Sequence, residues 1–235
     1  MGFAYFYGID ITYIVLVLPV VIFAMIMQAR VNSVFKKYSS QRCMCNMSGE
    51  QVAKRVLFSF GISNVKVERV RGNLTDHYDP KANVIRLSDS VYDSCSVAAA
   101  GVAAHECGHA MQYAEGYGPI KLRNAIIPVC QFGSSLSTPL ILIGFFLSWQ
   151  PLVDIGIVFF ALAAFFQLVT LPVEFNASRR ALLVLSDAGI LGDDEKSSAR
   201  KVLSAAAMTY VAALAVSLVQ LIRLVLIFGG GRRRD

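Results

Sequence analysis

Hydrophobic positions fall into two regimes along this chain: long charge-free runs and short amphipathic stretches between them. Four runs reach the roughly 20 apolar residues needed to cross a bilayer. Residues 11–29 (ITYIVLVLPVVIFAMIMQA) carry no charge before Arg30, and a second run lies within residues 124–153. The third, 155–173, is ended by Glu174, and the fourth runs from about Val202 to Phe228, interrupted only by Arg223. Pro19 and Pro139 fall inside apolar runs, where membrane helices tolerate proline better than soluble ones do.

Between the first two runs the pattern changes. After a polar linker (32–47), Ser48 and Gln51 fit a capping box. Val52, Val56, Leu57 and Phe60 then share one helical face, and Gly61 suits the C-cap. NVKVERV (64–70) and NVIRLSD (83–89) alternate as half-buried strands do. Their connection, RGNLTDHYDPKA, is rich in turn formers, so the expectation is a β-hairpin. Residues 94–116 read as one helix, with Ser94 or Ser96 as N-cap and Gly116 near its end. After the third run, EFNASRRALLVLSDAGI continues as a helix that packs through Leu182, Leu183 and Leu185, and LGDDEKS turns the chain into the last run. The expected fold is a mainly α polytopic membrane protein with four transmembrane helices and a small α+β domain.

Composition agrees. Of the 235 residues 55% are hydrophobic and only 16% charged, against about a quarter charged in soluble domains. The opening MGFAYFYGID has no Lys or Arg, and no A-x-A-like site follows Ala29, so the first run reads as a retained anchor. Arg30, Lys36, Lys37, Arg42, Lys121, Arg123, Arg179, Arg180, Arg200 and Lys201 flank the runs on one side, whereas the loop 148–154 has no basic residue. The positive-inside rule then puts residues 30–123 and 174–201 in the cytoplasm of a multi-pass cell-membrane protein. Four spans return the GGGRRRD tail to the opposite side, against the rule. The net charge of +6 fits basic flanks beside anionic headgroups, and no nucleic-acid module is present. Five cysteines form no disulfide framework and read as free thiols in a reducing compartment. CMC at 43–45 reads as incidental thiols rather than a metal clip.

The candidate chemistry lies in AAHECGHAMQ (103–112). On a helix His105 and His109 share a face and can hold one metal ion jointly. Glu106 is then placed beside the attacking water, where it can take a proton and later pass it to a leaving amine. Zinc suits this donor set, and one ion is expected. Two of the chain's three histidines occur here, in an apolar context where unpartnered polar groups are costly. Gly108 permits close packing beside the metal, and Cys107 points elsewhere. A catalytic site needs a third ligand, for which His77 and several carboxylates are available. Glu174 is favoured, because a carboxylate at a bilayer edge is uncommon without a partner. Its other reading is a solvated residue paired with Arg179 or Arg180.

HECGH (105–109), LTDHYDP (74–80), LSAAAMTYVAA (203–213) and LPVEFNASRRA (171–181) together resemble the YugP-type neutral zinc metallopeptidases of bacterial membranes, over nearly the whole chain. The resemblance implies a likeness to gluzincins, with a zincin-like cytoplasmic metallopeptidase domain and Glu174 as third zinc ligand. In many gluzincins an aspartate four residues after that glutamate supports the first histidine. Here Ser178 stands in its place, leaving Ser178 itself, Asn176, Asp187 or a backbone carbonyl to serve. His77, or Tyr78, reads either as a donor to the oxyanion of the tetrahedral intermediate or as a turn residue bonded to Asp76 or Asp79. In such peptidases the strand before the zinc helix forms the sheet edge beside the cleft, so the main chain of Asn83, Val84 and Ile85 is expected to bind substrate by strand addition.

The expected organisation is an anchor (1–31), a catalytic domain (32–123), a transmembrane hairpin (124–173), a third-ligand helix and loop (174–201), and a last span with a basic tail (202–235). Function is expected to be zinc endopeptidase activity on membrane or membrane-proximal proteins and peptides. One alternative is an intramembrane protease, which requires its zinc helix to be a span. The other is a non-catalytic scaffold with a structural zinc. The lipid bilayer is a partner in every case. Self-association or a regulatory membrane partner is left open.

Overall fold

A computed structural model describes residues 11–229. The opening decapeptide and the arginines of the tail, on which the leader and tail readings rest, lie outside them. A π-helical turn, Tyr13–Val17, leads into α1, Leu18–Ser39. There follow α2 (Gly49–Ser59), β1 (Lys66–Val70), β2 (His77–Asp79), β3 (Val84–Ser88), a single turn α3 (Asp89–Tyr92) and α4 (Val97–Ala114). Three long helices follow among the described residues: α5 (Gly118–Phe146), α6 (Gln150–Asp187) and α7 (Asp193–Phe228). Among the described residues, four helices are long and apolar enough to cross a membrane, Tyr13–Ser39 and α5 to α7.

The chain divides into two compact units. One, the apolar unit, comprises the described parts of Met1–Gln28, Leu122–Leu171 and Thr209–Asp235. The other, the polar unit, comprises Ala29–Lys121 and Pro172–Met208. Helices α1, α5, α6 and α7 each contribute residues to both.

In the polar unit the capping box forms as the sequence suggests: Ser48 Oγ accepts from Gln51 N and Gln51 Oε1 accepts from Ser48 N. Val52, Val56 and Leu57 are buried, but Phe60 and Leu183 are exposed. Helix α1 runs on to Ser39, through half of the expected linker.

The sheet is not the expected hairpin. Its order is β1-β3-β2, with β1 parallel to β3 (Lys66↔Val84 to Val70↔Ser88) and β2 antiparallel to it (Tyr78↔Ile85). The turn-rich connection holds its own extended triplet, and the chain reverses immediately after it. There Asp79 Oδ1 accepts from the N–H groups of Lys81 and Ala82, and Asn83 adopts φ 55°. That reversal makes β2 the antiparallel partner of β3, and β1 pairs on the far side of β3 in parallel register.

The cysteines also differ from expectation: Cys43 and Cys45 are joined in a disulfide. The tight turn at Asn46, whose N–H reaches the Cys43 carbonyl, brings them together. Cys95, Cys107 and Cys130 are free thiols.

Helix α4 is the centre of this unit. Ser96 caps it by accepting from Ala99 N, and its Ala and Gly residues let neighbours approach on nearly every side. Ala99, Ala103, Cys107 and Met111 pack into one core with Val52, Val56, Ile85, Leu87, Leu185 and Ala199. Burying so much of one helix leaves its polar side chains to be satisfied inside the protein.

Candidate metal centre

Helix α4 presents His105 and His109 on one face, with ring centroids 4.8 Å apart and planes at 83°. Helix α6 crosses that face at Gly108. A Cβ there would lie 2.6 Å from the Ala177 carbonyl oxygen, so only glycine permits this approach. The crossing brings Glu174 Oε2 to 3.3 Å from His105 Nε2 and 3.6 Å from His109 Nε2. One ligand atom from each of the three residues lies within 4.8 Å of the others. Glu174 is thus directed at the histidines, whereas Arg180 pairs with Glu115 at 2.7 Å.

The outer ring nitrogens are held by the protein. Gln112, fully buried, donates through Nε2 to the Val173 carbonyl (2.8 Å) and to Asn176 Oδ1 (2.9 Å). Its Oε1 therefore faces His109 Nδ1 at 3.0 Å. An amide oxygen only accepts, so Nδ1 carries the proton and Nε2 presents a lone pair toward Glu174. Ser178 Oγ lies 3.1 Å from His105 Nδ1, and Arg180 Nε donates to Asn176 Oδ1 at 2.7 Å. Asn176 thus reaches His109 only through Gln112, while Asp187 is exposed and takes no part.

These residues fit a zinc ion. Ligands about 2.0–2.2 Å from a tetrahedral zinc stand roughly 3.3–3.5 Å from each other, which matches the nitrogen–carboxylate separations. Two imidazole lone pairs and a carboxylate oxygen converging in a buried space repel one another unless a cation or protons lie between them. In the absence of metal, burial works against the His109 cation. The Glu174 hydrogen bond and the charges of Glu106 and Glu174 outweigh it, raising the His109 pKa above 6.5.

Glu106 follows His105 on the helix and is buried. Burial pushes its carboxyl pKa up, the two histidines pull it down, and Asp76 and Glu174 add to the rise. Asp76, just ahead of β2, is held by Ser88, whose N–H donates to Oδ1 (2.7 Å) and whose hydroxyl donates to Oδ2 (2.9 Å). Cys107 turns away from this cluster and donates its thiol to the Ala53 carbonyl.

Other expected site residues lie elsewhere. His77 is exposed on β2, with Nδ1 2.9 Å from the Thr75 carbonyl and Nε2 3.4 Å from Arg86. Neither Asp76 nor Asp79 is its hydrogen-bond partner. Strand alternation turns Tyr78 the other way, edge-on to Tyr113 at 5.4 Å, with its hydroxyl donating to Asn83 Oδ1. The edge-strand expectation for Asn83, Val84 and Ile85 is overturned by the sheet order. Strand β3 is central, with both main-chain edges paired and Val84 and Ile85 buried. The free edges belong to β1 and β2.

Gln112 and Asp76 were missed in the sequence reading. The signal for Gln112 was an amide at i+3 from His109 on an otherwise apolar helix. For Asp76 it was a second carboxylate inside LTDHYDP, ahead of the Asp79 that makes the turn.

A family profile described as "Putative neutral zinc metallopeptidase" matches residues 13–229. The "Putative membrane protease YugP" of Bacillus subtilis (strain 168) is 48% identical over 205 residues, covering 87% of this chain and 91% of that protein. No solved structure matches. With the match extending over nearly every described residue, the chain belongs to this family of neutral zinc metallopeptidases and is a homologue of a membrane protease.

Proposed function

We propose that the protein is a membrane-anchored zinc endopeptidase that cuts membrane or membrane-proximal polypeptides at the cytoplasmic face. The convergence of His105 Nε2, His109 Nε2 and Glu174 Oε2 carries this reading. Zinc in that position supplies Lewis acidity, lowering the pKa of water to about 7 and polarising a carbonyl.

The chain's own residues do the rest. Gln112 holds His109 in the tautomer that leaves Nε2 free to ligate, and Ser178 hydrogen-bonds Nδ1 of His105 and so orients its ring. Glu106, buried one residue from the first ligand, accepts the proton of the attacking water and returns it to the leaving amine. The charge of Asp76 raises the Glu106 pKa in the metal-free protein, which makes it a positioning residue. The free edge of β2 takes the role that β3 cannot, aligning an extended substrate through main-chain hydrogen bonds. His77 sits on that edge and contacts substrate rather than an oxyanion.

Glu174 directly follows the uncharged run 155–173 within the single unbroken helix α6, so substrates close to the bilayer are favoured. Basic flanks on the side of the polar unit support the cytoplasmic orientation. Helix α4 is not one of the four helices suited to span a membrane, which disfavours cleavage within lipid. The three-ligand set leaves a position for substrate, which disfavours a structural zinc.

The deciding experiment pairs Glu106→Gln with Glu174→Ala in the purified full-length protein. Glu106→Gln is expected to keep its zinc and lose activity by about 10²–10⁴-fold. Glu174→Ala is expected to lose zinc. Full zinc in Glu174→Ala would remove it from the ligand set, and full proteolysis in Glu106→Gln would end the peptidase mechanism.

A further inference from the structure

Arg223 is the sole charge inside the last apolar run, and the helical repeat places it on a face of α7 with Gln220, Leu224 and Ile227. That face closes a cavity of about 300 Å³ against the end of α5, where Ile141 and Phe145 form the wall. Apart from Arg223, Gln220 and Thr138, the lining is hydrocarbon. Gln220 Oε1 is buried in this apolar setting with no hydrogen-bond partner among the described residues. The guanidinium lies over the Tyr13 ring, 5.3 Å from its centroid.

The cavity's position within the apolar unit matters as much as its lining. Gln150 Nε2 donates to the Phe228 carbonyl at 3.0 Å, tying the end of α7 to the α5–α6 turn. Trp149, exposed on that turn, is the residue type that settles at headgroup level. Arg223 precedes Phe228 by about 7.5 Å of helix, within reach of the same level for a side chain that extends its charge toward water. Gln220 sits one turn deeper. A planar cation near the phosphates, an amide below it and an apolar hollow beside both reproduce, in order of depth, the chemistry of an acidic phospholipid. Guanidinium and phosphate pair bidentately, and the retention of an arginine inside a span calls for a function.

We propose that this cavity binds one anionic phospholipid. Its phosphate rests on Arg223, its ester linkages meet the Gln220 amide, and an acyl chain lies against Ile141, Phe145 and Leu224. This site is separate from the histidine–glutamate cluster and does not depend on the peptidase reading.

The test uses the full-length protein, delipidated in a nonionic detergent and titrated with phosphatidylglycerol or phosphatidylcholine of identical acyl chains. Native mass spectrometry counts bound lipid and the thermal unfolding midpoint follows its effect. One phosphatidylglycerol per chain is expected, held at least about tenfold more tightly than phosphatidylcholine, with no displacement by millimolar inorganic phosphate. Arg223→Gln should abolish the preference. Ile227→Trp, which fills the cavity and leaves Arg223 in place, should lose the lipid with an unchanged circular dichroism spectrum. Equal retention of the two lipids by the wild type, or undiminished phosphatidylglycerol binding in either folded variant, overturns the proposal. If Arg223→Gln does not fold, Ile227→Trp decides alone.

Discussion

In the polar unit α4 and α6 meet at Gly108, where an added Cβ would lie 2.6 Å from the Ala177 carbonyl oxygen. In the apolar unit α5 and α6 meet at Gly156, where it would lie 2.6 Å from Ile141 Cγ1 and 3.0 Å from the Ser137 carbonyl oxygen. The approaches are equally close, yet they hold different things. Around Gly156 the neighbours are the Ile141 side chain and the backbone of Ser137 and Ile141, with one added bond from Ser137 Oγ to the Gly156 carbonyl and no ligand group among them. This is how helices associate in lipid, where small residues let backbones approach. Around Gly108 the same closeness sets the gap between Glu174 and the histidines. A shift of an ångström is tolerable in the first case and disables the second, because ligand distances hold to about ±0.2 Å.

The sharpest way to break this comparison is to add the same side chain at both places. Gly108→Val must push against a backbone carbonyl and is expected to lower zinc affinity by more than about 100-fold, beyond what loss of a supporting partner costs. Gly156→Val is expected to destabilise the protein by about 1–3 kcal/mol, the usual cost of overpacking, while zinc stoichiometry stays at the wild-type value. Chelator competition measures the first effect and thermal unfolding in detergent the second. Equal zinc loss in both variants would mean that the two contacts are not functionally distinct.

A finer test stays inside the polar unit. Gln112 and Ser178 both face a histidine, but Gln112 also ties α4 to α6 through Val173 and Asn176. Gln112→Leu removes a fixed tautomer and that tie together, and about 10–100-fold in metal affinity is expected to go with it. Ser178→Ala is expected at or below the bottom of that range, since His105 is partly exposed and water can replace the hydroxyl. A reversed order would place the tautomer control on His105.

What was legible in the sequence follows from how local each cause is. The 105–109 pair is set by the helical repeat alone, and the capping box at Ser48–Gln51 spans a single turn. Glu174 stood out because an abrupt carboxylate ends a long apolar run. The sheet order was not legible. A strand of only three residues, His77–Asp79, has too few positions for alternation to show, and the turn formers around it read as loop. Gln112 was hidden for a different reason. A single amide on a helix has no periodic mark, and its importance arises from Val173 and Asn176, more than sixty residues away. Phe60 fits the buried face by periodicity, yet it follows the last residue of α2, where the helical repeat no longer governs its direction.

The smallest expected effect separates the two units by pH. In the metal-free protein His109 has a folded pKa above 6.5 and Glu106 one above 4.5. A raised folded pKa means that the fold favours the protonated form. Its contribution is therefore complete below the unfolded value and is lost as pH rises through the folded value. Both groups act in the same direction, so α4 should become less protected as pH rises from about 5.5 to about 8, the range in which histidine changes charge. Zinc reverses the trend, because it binds the deprotonated imidazole and competes with the proton that the metal-free site retains. Amide hydrogen exchange, corrected for its intrinsic pH dependence, reads this directly in α4. The apolar stretch of α5 serves as the internal reference, since it carries no titrating histidine or carboxylate. Protection of α4 that tracks α5 across this range, with and without zinc, would show that the histidine pair and its carboxylate neighbours do not govern the local stability of their helix.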